Sequence, residues 1–122
     1  MSKVSLAALQ FSCSWSRDDM MAKVDRLVHE AARRGAQVIL LPELFETPYF
    51  CAVQRCSFRE LAQPLKGHPT IAYLCLLAAK LGVVLPVSVY ERAGLAMFNT
   101  VVVIDADGTV RGSYRKLSLI HI

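Results

Sequence analysis

The run Val38-Ile39-Leu40-Leu41, at the end of "AQVILLPELFETPYFC", constrains this chain more than any other feature. It is apolar at consecutive positions, so it has no polar face to offer water. Such a strand belongs in a sheet covered on both sides, usually by helices over parallel neighbours. The segment before it supports that setting. Ser16 stands where a helix N-cap belongs, with Asp19 three residues on as in a capping box. Met21, Val24, Leu27, Val28, Ala31 and Ala32 follow helical spacing. Arg33 and Arg34 suit the negative end of the helix dipole, and Gly35 takes the left-handed position after it. Upstream again, Val4 to Phe11 reads as a buried first strand. The three pieces make a β-α-β unit with parallel strands.

Downstream, "HPTIAYLCLLAAKLG" reads as a second helix, with His68 as a cap, Pro69 in its first turn and Gly82 at its end. "VVLPVSVYE" is a further strand. "FNTVVVIDADGTVRGSYRK" then gives two β-rich runs around Asp105-Ala106-Asp107-Gly108, a hairpin turn with glycine where positive φ is needed. The fold class is therefore α/β: a mixed sheet with covering helices, whose later strands turn antiparallel. With 122 residues the chain has room for one domain.

Composition narrows the function classes. A hydrophobic fraction of 54% against 20% charged is globular and core-rich, which excludes a disordered chain. The net charge of +4 is spread among acidic neighbours with no basic-aromatic stripe, so nothing points to nucleic acid. No apolar segment is long enough to cross a bilayer. The cysteines Cys13, Cys51, Cys56 and Cys75 form no C-x-x-C pair and have no histidine at zinc spacing. His29, His68 and His121 carry no ligand pattern. A cytoplasmic protein with reduced thiols and no metal is expected.

Two positions stand out for chemistry. Pro42 forces the chain out of the strand, and Glu43 follows it beside Phe45, Tyr49 and Phe50. In open α/β sheets ligands collect beyond the carboxyl ends of strands. Desolvation by a pocket wall of this kind would raise the pKa of Glu43 and make it a better proton acceptor. A strand-end carboxylate paired with a nearby cation fits the same residues. Lys116, at the end of Tyr114-Arg115-Lys116, suits an oxyanion or a carboxylate partner, or simply solvent. Asn99 reads as a structural hydrogen-bonder or a pocket residue, Tyr49 as a pocket wall. Glu91 with Arg92 reads as a surface pair or a pair reaching the site. Cys75 reads as packing on a helix face.

The segments "AALQFSCSW", "EAARRGAQVILLPELFETPYFC", "LAQPLKGHPTIAYLCLLAAKLGVVLPVSVYERAG" and "FNTVVVIDADGTVRGSYRK" together resemble the nitrilase superfamily of carbon–nitrogen hydrolases. Within it, the "LPELFETPYFC" stretch is similar to the branch that acts on N-carbamoylputrescine. The resemblance runs from about Val4 to Lys116 and implies the N-terminal part of an α-β-β-α sandwich. It implies a Glu–Lys–Cys triad in which Glu43 matches the general base and Lys116 the residue that stabilises the tetrahedral intermediate. It also implies a small ureido or amide substrate, no metal or organic cofactor, and homo-oligomers of the full-length protein. Another ureido or ω-amide hydrolase of the superfamily, such as one acting on β-ureido acids, is the nearest alternative. A non-catalytic fragment that binds a homologue is the alternative of a different class.

The family's nucleophilic cysteine follows the lysine by some tens of residues, and none of the four cysteines here occupies that position. Residues 1–116 are thus expected to form the N-terminal portion of the hydrolase domain, and 117–122, "LSLIHI", to be a non-native tail. A chain of this extent is expected to be inactive alone. With part of its sheet uncovered, it is also expected to be poorly soluble.

Overall fold

A computed structural model describes residues 2–48 and 56–116. Its elements in chain order are β1 (Leu6–Ala8), α1 (Arg17–Arg33), β2 (Val38–Leu40), a 3₁₀ turn (Cys56–Leu61), α2 (Pro69–Leu81), β3 (Leu85–Ala93), β4 (Ala96–Ile104) and β5 (Val110–Arg115).

Local chemistry accounts for both helices. The Ser16 hydroxyl accepts from the Asp19 amide, and the return bond of the capping box is relayed. The Ser16 amide donates to the Ser14 hydroxyl, which donates to Asp19 Oδ2. The helix then buries Met20, Val24, Val28 and Ala31 along one stripe. At its end Gly35 takes φ 92°. In α2 the cap is His68, whose Nδ1 accepts from the Ile71 amide at 3.4 Å, and Gly82 closes the helix at φ 66°.

β1 and β2 are parallel, in register Leu6 with Val38 and Ala8 with Leu40. β3, β4 and β5 form an antiparallel meander. The two groups are joined at Val38 and Val84: the Ile39 amide donates to the Val84 carbonyl at 2.9 Å, and the Val84 amide to the Gln37 carbonyl at 2.8 Å. The result is one mixed sheet in the order β1-β2-β3-β4-β5. The β3–β4 turn is the two-residue Gly94-Leu95, which the sequence reading did not single out. The β4–β5 turn is the expected one around Asp105-Ala106-Asp107-Gly108. Gly108 sits against α2 at φ 85°, where a β-carbon would lie 2.7 Å from the Cys75 carbonyl oxygen. Just past this turn, Val103 pairs with Gly112 while Ile104 pairs with Val110, so Arg111 is one residue extra on β5.

Alternation separates the two faces of the sheet. Ile39, Leu85, Val87, Val89, Val102 and Ile104 meet Val24, Val28, Leu74 and Leu77 of the helices, and all are buried. Residues of the opposite face stand far more open: Leu6 is 74% exposed, Leu40 49% and Tyr114 63%. The first strand is therefore shorter than the expected Val4–Phe11 and is not buried. The helices cover only one face, so only Ala7 of that strand packs against the core. A part of the sheet left uncovered is as the sequence implied. The tail 117–122 lies outside the described residues.

Candidate active site

Glu43 leaves the sheet with β2. After Pro42 the chain makes a tight turn over 43–46 in which Leu44 adopts φ 49°, a left-handed conformation that an L side chain takes only when its surroundings insist. Two anchors hold the turn. The Leu44 amide donates to the Ser88 hydroxyl of β3 at 2.9 Å. On the other side, Glu46 Oε2 accepts from the Thr70 hydroxyl at 2.8 Å, and Thr70 Oγ1 in turn accepts from Arg17 Nη2 at 2.9 Å. His68 Nε2 lies 3.6 Å from Glu46 Oε1. Because His68 Nδ1 is the acceptor of the α2 cap, its proton sits on Nε2, facing Glu46. Burial holds this imidazole below its ordinary pKa, against the pull of the Glu46 carboxylate. Phe45, between the anchors, is fully buried in the core.

The Glu43 side chain then meets two donors. Lys116 Nζ lies 2.7 Å from Glu43 Oε1, and Asn99 Nδ2 donates to the same oxygen at 2.6 Å. Asn99 is fixed from both sides. Its Oδ1 accepts from the Ser88 hydroxyl at 3.1 Å, and its carbonyl accepts from the Lys116 amide at 2.8 Å. Leu44, Ser88, Asn99 and Glu43 thus form a closed circuit that ties the carboxylate to the amide of its own neighbour. The side chains of Glu43 and Lys116 are 42% and 53% exposed.

This arrangement corrects one expectation. Glu43 is not a desolvated carboxylate with a raised pKa. The hydrogen bond from Lys116 holds it below the ordinary value, outweighing what desolvation there is, and Asn99 adds to the effect. Phe45 points into the core instead of walling a pocket, and Tyr49, Phe50 and Cys51 lie outside the described residues. Asn99 combines the two roles open to it from sequence: it is held structurally and it touches Glu43. Leu44, Glu46 and Thr47 line a cavity of about 250 Å³ with Trp15, Arg17 and Tyr90, beside the Glu43 turn.

The remaining cysteines that can be placed are free thiols. Cys13 donates to the Phe45 carbonyl at 3.5 Å, and burial raises its pKa. Cys75 packs against the core, as expected, with its pKa likewise raised by burial. Neither has the environment of an activated thiolate. Among the described residues no group of three or more His, Cys, Asp or Glu could hold a metal ion, and no helix is long and apolar enough to cross a membrane.

Glu91 was misjudged. It is 6% exposed, within β3, and its partner is Arg115, not Arg92. The missed signal is alternation: Glu91 shares the face of Val87 and Val89, which the helices cover.

The sequence from residue 5 to 122 matches the family model for carbon–nitrogen hydrolases. The chain belongs to the carbon–nitrogen hydrolase family. Over 114 residues it is 50% identical to an N-carbamoylputrescine amidase of Arabidopsis thaliana, covering 93% of this chain and 38% of that protein. A citrullinase of Francisella tularensis is 38% identical over 116 residues, covering 95% of this chain and 41% of that protein. The crystal structure of a carbon–nitrogen hydrolase from Helicobacter pylori G27 superposes with a TM-score of 0.85 at 28% identity. That match covers 95% of this chain and 40% of the other, so the chain spans about two fifths of its carbon–nitrogen hydrolase relatives. The mixed sheet with helices on one face is the N-terminal part of the carbon–nitrogen hydrolase fold.

Proposed function

We propose that this chain supplies the general base and the oxyanion-binding cation of an amidohydrolase that converts N-carbamoylputrescine to putrescine, carbon dioxide and ammonia. The observation that carries the reading is the meeting of Glu43 and Lys116 at 2.7 Å, from positions far apart in the chain. The 50% identity to the Arabidopsis thaliana amidase supports the substrate.

Each group has a defined part. The Lys116 ammonium keeps Glu43 ionised at neutral pH, so the carboxylate is ready to accept a proton. Asn99 and Lys116 both donate to Oε1, which leaves Oε2 as the oxygen that takes the thiol proton of the family's cysteine. None of this chain's four cysteines matches that nucleophile in sequence. The thiolate attacks the ureido carbonyl, and the oxygen that gains charge is met by the Lys116 ammonium. Collapse of the tetrahedral intermediate breaks the bond to the terminal nitrogen, which leaves as ammonia after receiving the proton from Glu43. Glu43 then deprotonates water, which attacks the thiocarbamate and returns the thiol. The released carbamic acid loses carbon dioxide to leave the diamine. Asn99 keeps the carboxylate in place throughout. The free thiols of Cys13 and Cys75 fit a cytoplasmic enzyme of polyamine synthesis, homo-oligomeric at full length.

The test is a chimera in which residues 1–116 replace the matching region of the Arabidopsis thaliana amidase. Ammonia release from N-carbamoylputrescine, lost by about 10²–10⁴-fold on Glu43→Gln, is the expected result. A chimera that folds but releases ammonia only from citrulline would move the substrate; one unaffected by Glu43→Gln would sink the reading.

A further inference from the structure

On the helix-covered side of the sheet, directly behind Lys116, a second carboxylate–cation pair is built to a different standard. Glu91 Oε1 accepts from Arg115 Nε at 3.0 Å and Oε2 from Arg115 Nη2 at 3.1 Å, the two-pronged geometry of an arginine fork. Thr100, fully buried, donates its hydroxyl to Oε1 at 2.8 Å. The guanidinium stacks on the Phe98 ring at 4.1 Å from its centre. Glu91 is itself held: the Gln63 amide donates to the Tyr90 carbonyl at 3.1 Å, and the Arg92 amide to the Gln63 carbonyl at 2.9 Å.

This pair has a position that a mere surface tie would not need. β5 lies along the outer edge of the meander, and none of its six residues is buried. Its backbone pairs with β4, and Arg115, its side chain 49% exposed, reaches from that edge to a buried carboxylate. Arg115 sits opposite Thr100. Fixing Arg115 to the covered face leaves Lys116, the next residue, to emerge on the open face beside Asn99 and Glu43.

We propose that Glu91, acting through Arg115, is a positioning residue for Lys116. The assignment rests on the functional reading above, in which the Lys116 ammonium must meet Glu43. Glu91 touches neither, and its effect travels through one residue of backbone. Without the fork, β5 keeps its ladder to β4 but loses the side-chain anchor at its end, and the 2.7 Å contact between Lys116 and Glu43 loosens.

Competitive acetylation of lysines in the 122-residue chain, read by mass spectrometry, tests this without any need for activity. Exposed Lys66 and Lys80 serve as internal references. Removing the Glu43 carboxylate by Glu43→Gln should raise the Lys116 rate about two- to fivefold, the range of a solvent-exposed ion pair. Glu91→Gln should raise it by at least half as much, with Lys66 and Lys80 unchanged. If Glu91→Gln accelerates all lysines together, the fold has opened. Arg115→Lys, which keeps the charge and drops the fork, then decides, and Lys116 alone should accelerate. A Lys116 rate that responds to Glu43→Gln but to neither Glu91→Gln nor Arg115→Lys overturns the positioning role. A rate that ignores Glu43→Gln instead overturns the Glu43–Lys116 pair on which it rests.

Discussion

Arg115, the last residue of β5, and Lys116, the next, each meet a glutamate, and the two pairs share almost nothing else. Glu91 is 6% exposed, takes three donors over both oxygens, and faces a cation whose planar fork matches a carboxylate. Glu43 has a side chain 42% exposed, takes two donors on one oxygen, and faces a compact ammonium on a flexible stem. The first arrangement engages both carboxylate oxygens and shields the carboxylate from solvent, although the Arg115 side chain is 49% exposed. The second keeps an oxygen and a cation in reach of a third molecule. Pairing a carboxylate therefore does not separate structure from chemistry. What separates them is how many acceptor positions remain, and which face of the sheet they occupy.

The difference sets the order of expected effects. Glu43→Gln in the chimera should remove activity by about 10²–10⁴-fold while its melting temperature hardly moves, because an exposed pair adds little stability. Lys116→Ala should follow at about 10²–10³-fold in kcat, read from ammonia release. Glu91→Ala should invert the pattern, costing about 1–3 kcal/mol in denaturant unfolding because the buried Thr100 hydroxyl loses its acceptor. Ser88→Ala sharpens the comparison: it opens the circuit behind Asn99 and frees the strained Leu44 turn, at about 1 kcal/mol.

The smallest effect is one of pH. Arg115 first, and Thr100 after it, hold Glu91 below the ordinary carboxylate value against some desolvation. A depressed folded pKa means that the unfolded chain binds the proton more readily. The stabilisation is thus full above the unfolded value and is lost as pH falls through the folded one. Denaturant midpoints measured across the acid range should fall less steeply for Glu91→Gln than for the unaltered chain. An identical slope would count against a buried, ionised Glu91.

Much of this was legible in the sequence, and the parts that were not share a cause. Ser16, His68, Gly35 and Gly82 announce themselves because caps and left-handed turns depend on a few consecutive residues. The parallel-to-antiparallel change was legible for the same reason, from local periodicity and the Asp107-Gly108 turn. Glu43 and Lys116 were nominated by strand ends and by family resemblance. Three things escaped. The pKa direction of Glu43 depends on which long-range neighbour arrives, and Lys116 outweighs desolvation. The burial of Glu91 depends on which face the helices cover. Exposure of β1 depends on what lies over the other face, a matter of layers that no window of sequence contains.

The extra residue on β5 has a consequence of its own. A strand works as a two-letter frame, alternately inward and outward, and Arg111 shifts the frame by one letter before the charges are reached. Paired without the bulge, β5 would set Arg115 opposite Asn99, sending the fork to the open face and the ammonium to the helices. Arg111 is clamped to Asp105 at 2.7 Å and to Asp107 at 3.5 Å, so the offset is fastened to the turn that produces it. Closing the bulge by pairing Arg111 with Val103 would exchange the two cations, whereas deleting Arg111 outright would leave both where they are.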